Sequence, residues 1–186
     1  MQEIPQDLLI RASEGDIQAF QEIYKMASSY VYNLALRISN NQEEAEEITQ
    51  DVFLKIYNHL RYFQFRSAIK TWIYRITVNT AINASKKRSR ELSRRADFNE
   101  NIQYGPASEV LKQRLDQEEN EALISRLLKL LNPKQRACVV LRDIQGLSYK
   151  EIARTLGINL NTVRTRLKRA RQTLLNARKR GGVNEV

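Results

Sequence analysis

The sequence predicts an all-α protein: two small helical domains joined by a flexible linker, the second domain carrying a helix-turn-helix. Three observations lead there. Glycine and proline are scarce, 6 and 3 in 186 residues, and strand-like runs are few. Apolar residues recur at three- and four-residue spacing through most of the chain. Between the two periodic regions, Lys86–Arg90 and Arg94–Arg95 turn basic, and 97–108, with Gly105 and Pro106, loses periodicity. The divisions follow as 1–88, a linker over 89–118, and 119–186.

Gly15-Asp16 opens the first long helix, which carries Ile17, Phe20, Ile23 or Tyr24, then Val31, Leu34, Ala35 and Ile38 on one side. Asn40-Asn41 breaks it. Asn41 with Glu44 has the spacing of a capping box, and a helix runs on to about Asn58. Its core stripe is Ala45, Ile48, Val52 and Ile56. Glu43, Glu47, Gln50, Asp51, Leu54 and Asn58 lie opposite. The loop Arg61–Ser67 holds Tyr62, Phe63 and Phe65 between Arg61 and Arg66. A helix then runs from Ile69 to about Ser85, with Ile69, Trp72, Ile73, Ile76 and Thr80 on one face and Asn79 at its border.

Helical pattern resumes near Leu111 with Leu115, Leu123, Leu127, Leu128 and Leu131. Asn132-Pro133 restarts it, Asn as cap and Pro in the first turn. A helix through Val139, Val140 and Leu141 leads to the most telling segment, 146–175. There Ser148 and Glu151 make a second capping-box pattern, and Ile152, Ala153 and Leu156 face inward. Gly157 supplies the left-handed turn, and Asn159 caps the next helix. Val163, Leu167, Ala170 and Leu174 form its buried stripe. Thr165, Lys168, Arg169 and Gln172 point away, and Arg164, Arg166 and Arg171 flank the stripe. A capped helix, a glycine turn and a basic second helix together write a helix that enters the DNA major groove. A lone basic helix would read only as a solvated face.

Net charge supports this. At +10 the chain suits a polyanionic partner, nucleic acid first. A basic membrane binder is the competing class, but no long apolar span and no signal-peptide pattern support it, so a cytoplasmic location and no membrane insertion are expected. Cys138, in the run Ala-Cys-Val-Val-Leu, reads as a buried thiol. A single Cys and a single His, His59, exclude the common zinc spacings; no metal or other cofactor is predicted. Neither a glycine-rich phosphate loop nor a nucleophile elbow is present, so an enzyme is not expected.

Two further features point to partners. Leu54 projects from an acidic face on a basic protein, which suits a docking surface for a basic protein partner, Leu54 the anchor and the acids steering. The plain alternative is a solvated face that aids solubility. In the loop, aromatics interleaved with Arg suit single-stranded nucleic acid, bases stacking on rings while cations hold the backbone; Asn79 nearby can bond a base edge.

These segments resemble those of a known family. Gly15-Asp-Ile-Gln-Ala-Phe20, Glu44 to Tyr57, Lys70 to Asn79 and Gly146 to Arg171, in that order, resemble the bacterial sigma factors of the extracytoplasmic-function group. The resemblance implies that the acidic helix binds the RNA polymerase core through Glu47, Gln50, Asp51 and Leu54. It implies that the loop and following helix capture a base flipped from the promoter minus-ten element, with Phe63, Ile76 and Asn79 lining the pocket; Phe65, as part of the aromatic loop, is counted with this minus-ten set. It implies that Arg164, Thr165, Arg166, Arg169 and Arg171 face the minus-thirty-five element, and Lys168, on the outward face by periodicity, joins them. It further implies an anti-sigma partner, and that polymerase, not this chain, makes RNA. The chain departs from the family at one place: members often carry Phe-Arg-Gly-Asp-Ser before Lys-Thr-Trp, whereas here Phe63-Gln-Phe-Arg-Ser67 stands. The base captured and the promoter sequence therefore do not carry over. A helix-turn-helix regulator that binds duplex without polymerase is the rival reading; its usual strand-helix receiver contrasts with the helical pattern of 8–85.

Overall fold

The computed structural model describes residues 3–65, 67–96 and 112–180, and every regular element within them is helical. In chain order these are α1 (Gln6–Ser13), α2 (Ile17–Ser39), α3 (Gln42–His59), α4 (Ile69–Ala96), α5 (Lys112–Lys129), α6 (Pro133–Val139), α7 (Tyr149–Leu156) and α8 (Leu160–Arg180). A 3-10 turn, Leu60–Tyr62, follows α3, and a π-type turn, Val140–Ile144, follows α6.

The helix ends obey local chemistry. The Asp16 carboxylate accepts the Ala19 N–H at 3.0 Å and so starts α2; it also holds Arg11 Nη2 at 2.6 Å, which ties α1 to α2. The Ala19 amide, then Arg11, keep the Asp16 carboxyl below its ordinary value. Asn40 ends α2 in the left-handed region, φ 58°, a conformation that Asn tolerates. Asn41 caps α3 by accepting the Glu44 N–H at 2.8 Å. The reciprocal half of the expected box does not form, because Arg88 Nη1 takes the Glu44 carboxylate at 2.5 Å. At α6 both halves are present: the Gln135 N–H bonds the Asn132 side chain at 3.0 Å, and the Asn132 N–H bonds Gln135 Oε1 at 3.2 Å.

The α2, α3 and α4 helices pack as the first core. Ile23, Val31, Leu34 and Ile38 meet Ile48, Val52 and Ile56, with Ile73, Val78 and Ala81 closing the third side. Ile17, at the first turn of α2, is 61% exposed. On α4 Ile73 and Thr80 are buried as expected, but the centre of the buried face is shifted: Tyr74, Thr77, Val78 and Ala81 are also buried, while Ile69, Trp72 and Ile76 are half-buried. Thr77 is accommodated there because its hydroxyl donates to the Ile73 carbonyl at 2.9 Å. Leu128, Leu131, Val140, Leu141, Ile152, Val163, Leu167 and Ala170 build the second core, with Cys138 inside it as expected. Burial pushes the Cys138 thiol up, against the opposing effect of Arg166. Leu123 and Leu127, which share the apolar pattern of Leu128 and Leu131, are exposed.

Between the two cores the structure departs from the expected linker. The α4 helix continues past Ser85 to Ala96, and α5 is already helical at Lys112, inside the expected 89–118 linker. Residues 97–111 of that stretch lie outside the described residues. Lys and Arg are good helix formers, so a basic run can extend a solvated helix.

The two halves are docked. Arg136, only 8% exposed, donates from Nη1 to the Ile38 and Ser39 carbonyls, both at 2.9 Å, from Nε to Leu128 at 2.8 Å and from Nη2 to Leu131 at 3.0 Å. One guanidinium thus satisfies carbonyls at the end of α2 and at the end of α5. Burial lowers its proton affinity, and Glu44 partly offsets this. Tyr74 donates to Gln145 Oε1 at 2.7 Å, Ser125 to Asn40 Oδ1 at 2.8 Å, and Arg75 to the Arg154 carbonyl at 3.2 Å.

Candidate nucleic-acid and protein interfaces

The helix-turn-helix forms with the expected local chemistry. The Ser148 hydroxyl accepts the Glu151 N–H at 3.3 Å, and the Glu151 carboxylate accepts the Ser148 N–H at 2.7 Å. Bonds from the Ser148 hydroxyl and then its amide hold the Glu151 carboxyl below the ordinary range. Gly157 turns at φ 62°, where a side chain would be strained, and Asn159 accepts the Asn161 N–H at 2.7 Å at the start of α8.

On α8 the expected DNA set divides. Arg164, Thr165, Lys168 and Arg169 are exposed together on the outer face. Asn161, which sequence reasoning missed, orients this group: its Oδ1 accepts from Arg164 Nη1 at 3.1 Å, and its carbonyl accepts the Thr165 hydroxyl at 2.9 Å. The signal was its place one turn before both. Arg166 lies half-buried and interacts with the Cys138 thiol of α6, so it faces the domain rather than solvent. Arg171 is exposed but lies 3.8 Å from Asp143, a weak surface pair that a phosphate can displace.

The loop before α4 is an aromatic ladder. Phe63 is half-buried, its ring centroid 5.2 Å from Trp72 on one side and 5.0 Å from Phe65 on the other. Phe65 is 44% exposed, and Tyr62 beside it 63%, with the Arg61 guanidinium 4.6 Å from the Tyr62 ring. Arg66 lies outside the described residues. Trp72, Ile76 and Asn79 follow one another along one flank of α4, Ile76 half-buried and Asn79 exposed. The arrangement offers aromatic faces, an apolar wall and an amide, the groups that hold an unstacked base.

On α3, Glu47, Gln50, Asp51 and Leu54 are all exposed, Leu54 to 61%. Ile48, Val52 and Ile56 are buried opposite. Tyr57, also exposed, extends the apolar spot and packs edge-on against Phe20 at 5.1 Å. Sequence reasoning missed a second exposed apolar row, Leu123, Ile124 and Leu127 on α5 with Leu130 just past its end. The signal was there, because α5 is apolar on two sides and one core can cover only one. Among the described residues no His, Cys, Asp and Glu cluster could hold a metal ion, and no helix is long and apolar enough to cross a membrane.

Family models place the chain. Residues 23–91 match sigma-70 region 2, and residues 121–174 match sigma-70 region 4. The RNA polymerase sigma-H factor of Pseudomonas aeruginosa is 31% identical over 179 residues, 93% of this chain and 93% of that protein. The chain belongs to the extracytoplasmic-function group of RNA polymerase sigma factors. Another relative of this sigma factor, the ECF RNA polymerase sigma factor SigE of Mycolicibacterium smegmatis, is 35% identical over 162 residues, 87% of this chain but 62% of that longer protein. The fold is shared with the sigma factor RpoE of Bartonella quintana, solved in complex with the anti-sigma factor NepR: TM-score 0.63, 24% identity, covering 91% of this chain and 100% of that one. CnrH, solved with the cytosolic domain of CnrY, has TM-score 0.62 and 22% identity over 93% of this chain and 96% of its own.

Proposed function

We propose that this sigma factor directs promoter-specific initiation through three surfaces. The α3 face of Glu47, Gln50, Asp51 and Leu54 docks on the polymerase core. Phe63, Ile76 and Asn79, with Phe65 at the rim, take a base extruded from the melted minus-ten element. Arg164, Thr165 and Arg169 read the minus-thirty-five element in the major groove, and Lys168 and Arg171 contact its backbone. Arg166 serves by bracing α8 against α6, because it is turned inward. The divisions 1–88 and 119–186 are the functional halves, and the cytoplasm is the site of action.

The observation that carries this reading is the co-occurrence, on one chain of a sigma family, of an outward basic recognition helix and an aromatic ladder well before it in the sequence. Duplex recognition alone would need only the first. Base extrusion costs a few kcal/mol, which stacking and amide contacts in the loop offset. The chain itself needs no catalytic group, because polymerase supplies the chemistry. An anti-sigma protein is a further partner, supported by the complex of RpoE with NepR.

Mixing the purified protein with core polymerase and a promoter library tests the proposal. Co-elution with core and initiation redirected to a defined promoter class are expected. Tight, specific duplex binding without polymerase, and no change in start sites with it, would overturn it.

A further inference from the structure

Resting on the base-capture reading above, we propose that Phe65 is a second stacking platform, which holds the unpaired base next to the one taken at Phe63, Ile76 and Asn79. The backbone at Phe65 is left-handed, φ 54°. A bulky side chain avoids that region, and glycine would occupy it freely. Burial does not explain the choice, since Phe65 is 44% exposed. What the conformation achieves is placement. It sets the Phe65 ring 5.0 Å from Phe63, at a tilt of 58°, and Phe63 in turn lies 5.2 Å from Trp72. Phe63 thus lies beside two rings, while among the described residues Phe65 is the outermost member of the row and is 44% exposed.

Exposed Arg61 and Lys70 border the loop and suit the sugar-phosphate chain on either side of a stacked base. A ring face makes no hydrogen bond to a base edge. Phe65 thus adds affinity with little choice among bases beyond a lean toward the larger purines, whereas Asn79 supplies edge recognition.

The test uses holoenzyme assembled from this chain and core polymerase, with a random pool of single-stranded 12-nucleotide DNA. Bound sequences define the preferred strand, which is then resynthesised with one abasic site at each position in turn. In the wild type two adjacent abasic positions are expected to weaken binding. F65A is expected to weaken the intact strand roughly five- to a hundredfold, the range of a lost base–aromatic stack. F65A should also become indifferent to one of the two abasic positions and keep its response to the other. F65W should restore the lost response, and F65L should not. F65G, which relieves the backbone, should match or exceed wild-type thermal stability and still lose the response. An F65A holoenzyme with the wild-type abasic profile would overturn the platform and leave base capture standing. A wild-type holoenzyme that assembles but enriches no sequence would overturn both.

Discussion

At the scale of single residues, the same residue type does different work on α8. Arg169 points outward and is free to reach a base, whereas Arg166 is turned toward Cys138. Arg169→Ala is expected to cost about 1–3 kcal/mol and to relax preference at one upstream position, read from promoter-library transcription. An unchanged preference would show that Arg169 touches only phosphate. Lys168→Ala should instead weaken binding evenly across sequences and lower the salt slope by about one. Leu54 is exposed, so Leu54→Asp should leave the stability of the fold unchanged within about 0.5 kcal/mol, while it weakens assembly with core. Normal co-elution of that variant would remove the docking role. Arg166 illustrates what spacing leaves open. Its angle on the helix wheel puts it at the edge of the buried stripe, and only the position of α6 decides that it turns inward.

Among the elements, α7 and its turn were legible because their signals are local. Ser148, Glu151, Gly157 and Asn159 interact within one or two turns of the chain, and the structure forms each contact. The pH dependence has a definite sign. The Glu151 carboxyl is held below its unfolded value, so its contribution is present above that unfolded value and lost as pH falls through the lower folded one. The Ser148 amide should lose its bond in this acid window, read by its NMR shift between neutral pH and pH of about 3; an unshifted amide would contradict the box. Ser148→Ala should cost about 1 kcal/mol. The α3 cap shows the opposite case. Asn41–Glu44 has the same spacing, yet Arg88, 44 positions away, takes the carboxylate. The α4 helix shows a third. Its basic continuation past Ser85 has the composition of a linker, but the same Lys and Arg stems suit a solvated helix.

For the whole molecule, docking of the two halves is the main consequence of the tertiary structure. Arg136 bridges the ends of α2 and α5 through four carbonyls, and its truncation leaves several of them unpaired. Arg136→Ala should therefore destabilise by about 3 kcal/mol or more, measured as a lowered melting temperature. The docked form also sets a size. A compact chain of 186 residues has a radius of gyration of about 16 Å. Elements at minus ten and minus thirty-five are separated by about 85 Å of straight duplex at 3.4 Å per base pair. One docked molecule cannot reach both, so the halves must separate when both elements are engaged. Small-angle scattering of the free protein should give the compact value. Fluorescence transfer between labels on α3 and α8 should fall on assembly with core and promoter. Unchanged transfer would mean the docked arrangement persists.

By itself the sequence determined the helical class, the helix ends with local caps, the acidic face of α3, the aromatic loop and the helix-turn-helix. All of these depend on periodicity or on contacts a few residues apart, which the order of side chains specifies directly. The tertiary structure decided which α4 face is buried, that Leu123 and Leu127 lie outside, that Arg166 turns inward, and that Arg136 clamps the two halves. Each of these depends on which distant surface arrives opposite a residue. A helix with two apolar sides, or an arginine that can reach water or a carbonyl, has no local preference strong enough to choose.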